Sequence, residues 1–218
     1  RFRLWFMHRG IEKLFEGRSV EDGIALAERI SGDTAVGHGL AYAMAVEDAS
    51  GIVVDERSRV IRALLLELER LYNHVSDLGA IANDVGYGIA KAHCDALKED
   101  LLRHNKRVTG HRLLRGGVVV GGAQLLALPD VALVADVARR ADEVALVALE
   151  HPIVANRFAD QAIVTAATAS EFSTLGHVAR ASGLTTDARA DHPFVDLGPS
   201  FEVVTEPAGD VRARFEVR

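Results

Sequence analysis

Hydroxyl, carboxylate and imidazole side chains are concentrated in one short segment of the sequence, residues 28–38. Ser31, Asp33 and Thr34 lie together, and His38 follows four positions later. A turn that carries these groups could present polar atoms and a titrating ring to a ligand. The hydroxyl and carboxylate residues could instead cap the helix that follows, because serine, threonine and aspartate are all common N-caps.

Two cations and an imidazole occur close together near the start of the sequence, in residues 8–13. His8, Arg9 and Lys13 flank Gly10, a residue whose backbone has unusual freedom. This mixture is suited to holding an anionic or redox-active group. The alternative is an ordinary helix start with charged residues on its surface.

A third set of polar residues lies within a long apolar pattern. His74 and Asp84 are ten positions apart, which places them within roughly 80° of each other around a helix. They could therefore face one polar cavity. Polar residues on such a helix are more often solvent-exposed or hydrogen-bonded locally, and that alternative stays open here.

Two other groups of residues do not fit a known chemistry. His93, His104 and His111 do not share one face of a helix and have no cysteine partner at a ligand interval, so no metal site is expected. The glycine-rich residues 116–122 are not followed by the lysine and hydroxyl residue of a phosphate-binding loop. They are expected to form a sharp loop between helices.

The element that must position these groups is a helix predicted over residues 55–85. Apolar residues recur there at alternating spacings of three and four, which indicates one continuous buried stripe. The stripe comprises Ile61, Leu64, Leu68, Leu71, Val75, Leu78, Ala82 and Val85. Asp55 is the expected N-cap, and Gly86 is the expected end of the helix.

The remaining pattern predicts a mainly α fold with a helical bundle core. Further helices are expected at residues 20–30, 35–49, 89–108, 130–149 and 166–175. Pro152 should close the fourth of these, and Thr165 should cap the fifth. The final residues alternate apolar and charged side chains, so a strand is predicted there. The expected organisation is a helical core at residues 1–198 and a β segment at residues 199–218 of the same domain.

Composition narrows the class of protein. Hydrophobic residues make up 49% of the 218 residues, and the formal net charge is −6, so a folded protein without a nucleic-acid partner is expected. The single cysteine, Cys94, cannot form an internal disulfide, which favours a reducing compartment. The most apolar stretch, residues 116–137, is interrupted by Gln124, Pro129 and Asp130 and does not predict a transmembrane helix.

Several segments, in their order along the chain, resemble the hydrogenase-derived core subunit of respiratory complex I (NADH:quinone oxidoreductase) and the large subunits of energy-converting nickel–iron hydrogenases. The resemblance spans nearly the whole chain, although residues 125–156 match only in helical character. Its motifs lie at residues 8–13, 28–39, 61–74, 83–86, 180–189 and 209–214. It implies a helical core of the hydrogenase large-subunit type with a small β element at the C-terminal end. Because the sequence begins with arginine and stops within the predicted strand, further sequence is expected at both ends.

The resemblance implies a role for residues 31–38. Hydrogenases of this family have cysteines at the positions of Ser31 and Thr34, and a hydroxyl is a poor ligand for soft metals, so a nickel–iron centre is not expected. In complex I the same turn lines the quinone cavity with an aspartate and a tyrosine, whereas this chain has Ser31 and Gly32. By this resemblance, Ser31, Gly32, Thr34 and His38 belong to a quinone pocket.

The resemblance also assigns roles to residues outside this turn. It places His8 and Arg9 near the terminal iron–sulfur cluster of a neighbouring small subunit, and Asp84 in a polar path below the cavity. A cation such as Arg9 favours the reduced, more negative form of a cluster. His38 and Asp84 could act as catalytic proton carriers, because imidazole titrates near neutrality and burial raises the pKa of a carboxyl group.

The implied function is that of an oxidoreductase subunit that is active only within a complex. It would pass electrons from a partner's iron–sulfur cluster to a quinone-type acceptor without binding a cofactor directly, and other subunits would bind NADH. Expected partners are the iron–sulfur small subunit and other subunits of complex I or a hydrogenase complex, with the membrane arm reached through them. The expected location is peripheral, on the cytoplasmic side of the cell membrane. The alternative is a non-catalytic scaffold subunit, because the substitutions at Ser31 and Gly32 affect both metal and quinone chemistry.

Overall fold

The computed structural model describes residues 9–218, and this part of the chain is mainly helical, as predicted. Two long helices dominate it, α4 (Glu56–Asp84) and α5 (Gly88–Thr109). The other elements are α1 (Ile11–Phe15), α2 (Val20–Ala27), α3 (Ala35–Ser50), β1 (Val118–Val119), β2 (Gly122–Ala123), α6 (Val131–Glu150), α7 (Pro152–Phe158), α8 (Ala166–Glu171), α9 (Gly176–Ala181), α10 (Ala188–Asp191) and α11 (Val211–Glu216).

The chain divides into two compact units, and the boundary between them falls within α4 and α5. The first unit contains the described residues up to Leu71 together with Leu102–Asp130, and the second contains Tyr72–Leu101 and Val131–Arg218. In the first unit, α3 packs against both α2 and β1. Its buried apolar residues include Val36, Leu40, Ala43, Leu65, Leu68, Val108, Leu114 and Val118. This core holds the start of α3 in place.

Helix α4 follows the predicted apolar stripe and has the predicted ends. Asp55 Oδ1 accepts a hydrogen bond from the Ser58 backbone N–H at 2.9 Å, which is the expected N-cap interaction. At the other end Gly86 adopts a φ of 96°, a conformation that glycine tolerates and that stops the helix. Of the stripe residues, Leu68, Val75 and Ala82 are buried, whereas Leu64 is 38% exposed.

The glycine-rich segment forms a small antiparallel hairpin. Val118 lies opposite Ala123, and Val119 lies opposite Gly122. The loop expected there is therefore a two-stranded sheet, which reverses direction at Gly121 with a φ of 81°. The expectation of a β element in the fold is confirmed, but its predicted location at the C-terminal end is wrong.

The final residues form helix α11, so the strand predicted within residues 199–218 is a mistaken assignment. Asp210 caps the helix by accepting a hydrogen bond from the Ala213 N–H at 2.8 Å. Phe215 belongs to one apolar cluster, and Ala213 and Val217 belong to another that includes Ala181. Because a helix buried by two clusters places apolar residues on both sides, its sequence can mimic the alternation of a strand.

The second unit is built around an apolar cluster that several helices share. Its buried residues are Ala82, Ala90, Ala148, Val154, Phe158 and Phe215. The rings of Phe158 and Phe215 lie 5.3 Å apart between centroids. Helix α6 ends before Pro152, as predicted, and Pro152 then begins a further helix, α7, because proline is well tolerated in the first turn. Thr165 caps α8 by accepting a hydrogen bond from the Thr168 N–H, which confirms that prediction.

Helices α4 and α5 pack very closely at Gly79, which gives a test of the second unit. A Cβ atom added at Gly79 would lie 2.7 Å from Cys94 Cβ and 3.1 Å from Lys91 Cα. We expect Gly79→Val to lower the free energy of unfolding by about 1–3 kcal/mol through overpacking, measured by urea denaturation. Gly88→Ala is the control, because its added Cβ would meet only Asn83 Oδ1 at 3.5 Å. Equal stability of Gly79→Val and wild type would contradict the close packing.

Candidate functional site

The turn before α3 joins the hydroxyl and carboxylate groups that the sequence singled out. Ser31 Oγ donates a hydrogen bond to Asp33 Oδ1, and Thr34 Oγ1 donates to the same oxygen at 3.3 Å. The Ser31 hydroxyl is the main cause of the lowered pKa of Asp33, and the Thr34 hydroxyl and the charge of His38 act in the same direction. Asp33 therefore carries a negative charge at neutral pH, within a small polar network.

The alternative role of these residues, as side-chain caps of α3, is not what the structure shows at the N-cap position. Thr34 occupies the N-cap position of α3, but no side-chain hydrogen bond caps the helix there. The first backbone N–H groups of α3 bind a distant carboxylate instead. Glu69 Oε2 accepts from Val36 N at 2.7 Å, and Glu69 Oε1 accepts from Gly37 N at 2.9 Å. The Ser31 and Thr34 hydroxyls are thus engaged with Asp33 and do not cap the helix.

Glu69 is the site residue that the sequence reasoning missed. It lies on α4 and is only 5% exposed. Burial raises the pKa of Glu69 to about 6, the Val36 and Gly37 N–H groups act against that rise, and the charge of Asp33 adds to it. A signal was present in the sequence, because Glu69 lies three or four residues from buried Leu65 and Tyr72 and so falls on the buried face of the helix.

A second buried carboxylate, Glu28, lies on the other side of α3. Glu28 Oε1 accepts a hydrogen bond from Gly116 N at 2.6 Å, and its Cγ lies 3.2 Å from the position that a Cβ would take at Gly39. Burial raises its pKa, against the effects of the Gly116 hydrogen bond and the charges of Arg115 and Arg29. The start of α3 is therefore contacted by two buried carboxylates from different parts of the chain.

The four predicted pocket residues all lie in the first unit. Ser31, Gly32 and Thr34 form the turn, and His38 lies in the first turns of α3, where its backbone N–H donates to Thr34 O at 3.2 Å. His38 is half-buried, whereas Gly32 and Thr34 are exposed. The turn is thus accessible, and its buried side is formed by Glu69.

The side chain of Arg9 is hydrogen-bonded to the backbone immediately before the turn at residues 31–38. Its guanidinium Nη2 donates a hydrogen bond to the Ile30 carbonyl oxygen, immediately before the turn, and its side chain is exposed. His8, the other residue expected near a partner's cluster, lies outside the described residues. The Arg9 cation therefore lies beside the polar turn at residues 31–38.

Asp84 and His74 have different surroundings in the second unit. Asp84 is exposed at the last position of α4. The Nδ1 atom of His74 lies 2.7 Å from the carbonyl oxygen of Arg218. A shared polar cavity for these two residues stays a prediction.

Among His93, His104 and His111, His104 has a structural role within the first unit. His104 is buried, and its Nε2 accepts a hydrogen bond from Asp130 N at 2.9 Å. Within residues 9–218, no group of three or more histidine, cysteine, aspartate and glutamate side chains is arranged to hold a metal ion. Cys94 is buried on α5 against Gly79, in the second unit.

Comparisons with known proteins agree with these motifs. Residues 84–218 match the family described as respiratory-chain NADH dehydrogenase, 49 Kd subunit. Residues 9–78, which contain the polar turn, match the family described as nickel-dependent hydrogenase. The two matches together cover nearly all of the described chain.

Individual relatives come from both branches of this group. The chain is 35% identical to formate hydrogenlyase subunit 5 of Escherichia coli over 224 residues, covering 100% of this chain and 39% of the relative. It is 34% identical to an NADH-quinone oxidoreductase subunit of Streptomyces griseus, covering 97% of this chain and 56% of the relative. A solved chain of the membrane-bound sulfane sulfur reductase, an archaeal respiratory membrane complex, matches with a TM-score of 0.83 and 27% identity, over 98% of this chain and 60% of that one. The chain thus spans about two fifths to three fifths of the length of these relatives.

Proposed function

We propose, from the premise that this chain belongs to the family of the respiratory-chain NADH dehydrogenase 49 kDa subunit, that it passes electrons from a neighbouring subunit's iron–sulfur cluster to a quinone-type acceptor. It would do so as a subunit of a membrane-associated complex related to complex I or to the energy-converting hydrogenases. The electrons come from the partner, and the chain supplies the acceptor pocket and the proton-carrying groups. NADH oxidation would take place on other subunits.

The observation that carries this proposal is the polar turn at residues 31–38 with Arg9 beside it. Ser31, Asp33 and Thr34 are hydrogen-bonded to one another, His38 lies one turn away, and Arg9 binds the carbonyl of Ile30. The half-buried imidazole of His38 can donate a hydrogen bond to a quinone oxygen, and the hydroxyls of Ser31 and Thr34, whose protons bond Asp33, can accept one from a quinol O–H. A cation on the same segment favours electron arrival from a cluster nearby.

The donor atoms of this turn do not fit a nickel–iron centre. The positions that hold thiolates in hydrogenases carry the hydroxyls of Ser31 and Thr34, and both hydroxyls are hydrogen-bonded to Asp33. Hydroxyl oxygens bind soft metals poorly, so no step of the proposed chemistry passes through nickel or iron on this chain. Stoichiometric nickel in the purified complex would contradict this interpretation.

The proposed partners follow from the same premise. An iron–sulfur small subunit would lie near Arg9 and His8, and further subunits would connect the chain to a membrane arm, on the cytoplasmic side of the cell membrane. None of the helices within residues 9–218 is long and apolar enough to cross a bilayer. Asp84, which is exposed at the end of α4, is proposed as a proton carrier.

Arg9 offers a direct test of the proposed position of the cluster. We expect Arg9→Ala to lower the reduction potential of the partner's cluster by roughly tens of millivolts, because removing a nearby positive charge disfavours the reduced form. The potential is measured by redox titration of the purified complex, followed by electron paramagnetic resonance. Arg18→Ala is the matched control, because Arg18 is also exposed and also donates to a backbone carbonyl, that of Leu14. Equal potentials in the Arg9 variant and wild type would argue against the proposed placement.

The alternative of a non-catalytic scaffold subunit is favoured by Ser31 and Gly32, which differ from the aspartate and tyrosine that the resemblance to complex I leads one to expect in this turn. The two hypotheses predict different results when the reduced complex is mixed with a quinone. The purified complex is reduced, freed of excess reductant and mixed with a short-chain ubiquinone analogue, and reoxidation of the cluster is followed. An electron-transfer subunit gives reoxidation and protects residues 31–38 from hydrogen exchange when the analogue binds. Absence of both effects would favour the scaffold. Polysulfide is tested in parallel, because one structurally similar chain belongs to a sulfane sulfur reductase.

A further inference from the structure

We propose that Glu69 is the proton donor that serves the polar turn, delivering a proton to the reduced acceptor through the Asp33 and Thr34 side chains. This inference rests on the proposed function and names a residue that the motifs of the turn do not include. Glu69 lies on α4, more than thirty positions away in sequence, and reaches the turn only through the fold.

The structure holds the Glu69 carboxylate directly behind the turn. Its two oxygens accept hydrogen bonds from the N–H groups of Val36 and Gly37 at 2.7 and 2.9 Å. A Cβ at Gly37 would lie 2.8 Å from Thr34 Cγ2 and 3.4 Å from Glu69 Oε1. The methyl group of Thr34 and the Oε1 atom of Glu69 therefore both border the space that a side chain at Gly37 would fill.

Glu69 differs from the other carboxylates around α3. Glu47 accepts two hydrogen bonds from the guanidinium of Arg62, and its pKa is lowered despite burial. The pKa of Glu28 is raised by burial, against the effects of Gly116, Arg115 and Arg29. The pKa of Glu69 is raised to about 6, within reach of neutral pH. A group that is protonated for part of the time near neutrality is suited to proton transfer.

The groups that face Glu69 explain how its proton can leave. The backbone N–H groups of Ala35, Val36 and Gly37 favour its ionised form, whereas the charge of Asp33 and the burial of the side chain favour its protonated form. Asp33 is itself bonded to the hydroxyls of Ser31 and Thr34 and is influenced by His38. An increase of negative charge at the acceptor would draw the proton from Glu69 toward this network.

The proposed step balances in atoms and electrons. The quinone accepts two electrons, one at a time, from the partner's iron–sulfur cluster, which is oxidised again after each transfer. The O–H bond of protonated Glu69 breaks, and an O–H bond forms on one quinone oxygen, with Asp33 and Thr34 relaying the proton. The second proton comes from His38, and both groups regain protons from solvent. The products are the quinol and the restored site.

The test is Glu69→Gln, with Glu67→Gln as the matched control. Glutamine keeps the length and one carbonyl oxygen for the α3 N–H groups but cannot lose a proton near neutral pH. Glu67 lies on the same helix but pairs with Arg70, and its side chain is 40% exposed. The rate of cluster reoxidation by the short-chain ubiquinone analogue is measured in the purified complex from pH 5 to pH 8.

In wild type the rate should fall as the pH rises through about 6, because the protonated form of Glu69 is lost. In Glu69→Gln the rate should be roughly a hundredfold lower and should lose the component of the pH dependence that is centred near 6, with little change in the quinone concentration that gives half-maximal rate. The Glu67 variant should keep the wild-type profile. If wild type does not reduce the quinone, the proposed function and this inference both fail. If wild type reduces it and Glu69→Gln keeps the same rate and profile, only the inference about Glu69 fails.

Asp33→Asn keeps the inference testable if the Glu69 variant does not fold. Removing the Asp33 charge should shift the midpoint of the rate profile to lower pH, because Asp33 favours the protonated form of Glu69. Infrared titration of the full chain gives an independent readout, in which a carboxylic acid band should disappear near pH 6 in wild type. An unshifted midpoint in Asp33→Asn, or no such band in wild type, would overturn the inference.

Discussion

Replacement of Arg62 by alanine is expected to lower the free energy of unfolding by about 3–5 kcal/mol, because it would leave a buried carboxylate without its cation. The side chains of Arg62 and Glu47 are 2% and 7% exposed. Two bonds join them, from Nη1 to Oε2 at 3.0 Å and from Nη2 to Oε1 at 2.5 Å. Arg62 also donates to the carbonyls of Gly122 and Val119 at 2.9 and 2.7 Å, and Glu47 accepts from Gly121 N at 2.7 Å. This pair therefore ties α3 and α4 to the β hairpin.

Urea denaturation of the purified chain measures this loss. Arg59→Ala is the matched control, since Arg59 is an exposed arginine on the same helix. The double replacement of Arg62 and Glu47 by methionine should cost less than Arg62→Ala alone, because it removes both charges together. A loss below about 1 kcal/mol for Arg62→Ala would show that the buried pair is not formed in solution.

The features predicted correctly from sequence are those that depend on nearby residues. The stripe of α4, the Asp55 and Thr165 caps and the end of a helix before Pro152 all depend on residues within one or two turns. The error at α11 arose because six residues are too few to separate a doubly buried helix from a strand. The hydrogen-bonded residues Ser31, Asp33 and Thr34 also lie close together in the sequence, so their proximity follows from local spacing, whereas their role in a site stays a prediction.

The long-range contacts of the carboxylates around this turn could not be found in the same way. Glu69 reaches Val36 and Gly37 from more than thirty positions away, and Glu28 reaches Gly116 from 88 positions away. Sequence spacing gives the face of a helix on which a residue lies, but it does not give the partner that the face meets. The alternative in which Thr34 caps α3 through its side chain is absent for this reason, because Glu69 binds the helix N–H groups instead.

His177 is expected to make the chain about 3 kcal/mol less stable at pH 4 than above pH 6.5. Burial lowers the pKa of His177 to about 4 from its ordinary value of 6.5, and the charge of Arg218 acts in the same direction. Arg218 Nη2 lies 2.9 Å from His177 Nε2, so the guanidinium donates to the lone pair of the neutral ring. Between pH 4 and pH 6.5 the unfolded chain binds the extra proton, and stability is therefore lost as the pH falls through this window.

The variant His177→Gln isolates this contribution, because glutamine can accept the Arg218 hydrogen bond but cannot be protonated in this range. Unfolding free energies of both proteins are measured by urea denaturation from pH 4 to pH 7, and their difference should shrink by about 3 kcal/mol as the pH falls. His192→Gln is the control, since His192 is exposed. A constant difference between His177→Gln and wild type would contradict a buried neutral imidazole.

The effect of His177 must be measured as the difference between wild type and His177→Gln, because Glu69 changes the free energy of unfolding in the opposite direction over an overlapping pH range. Its pKa is raised to about 6, so the folded chain holds the extra proton there and stability falls by about 2 kcal/mol as the pH rises from well below 4.5 to well above 6. The pH dependence of wild type alone should thus be flatter than either contribution. Glu69→Gln should steepen the gain of stability with rising pH, whereas His177→Gln should reverse its sign. Opposite changes in these two variants would assign the buried imidazole and the buried carboxyl group separately, within the same set of unfolding curves.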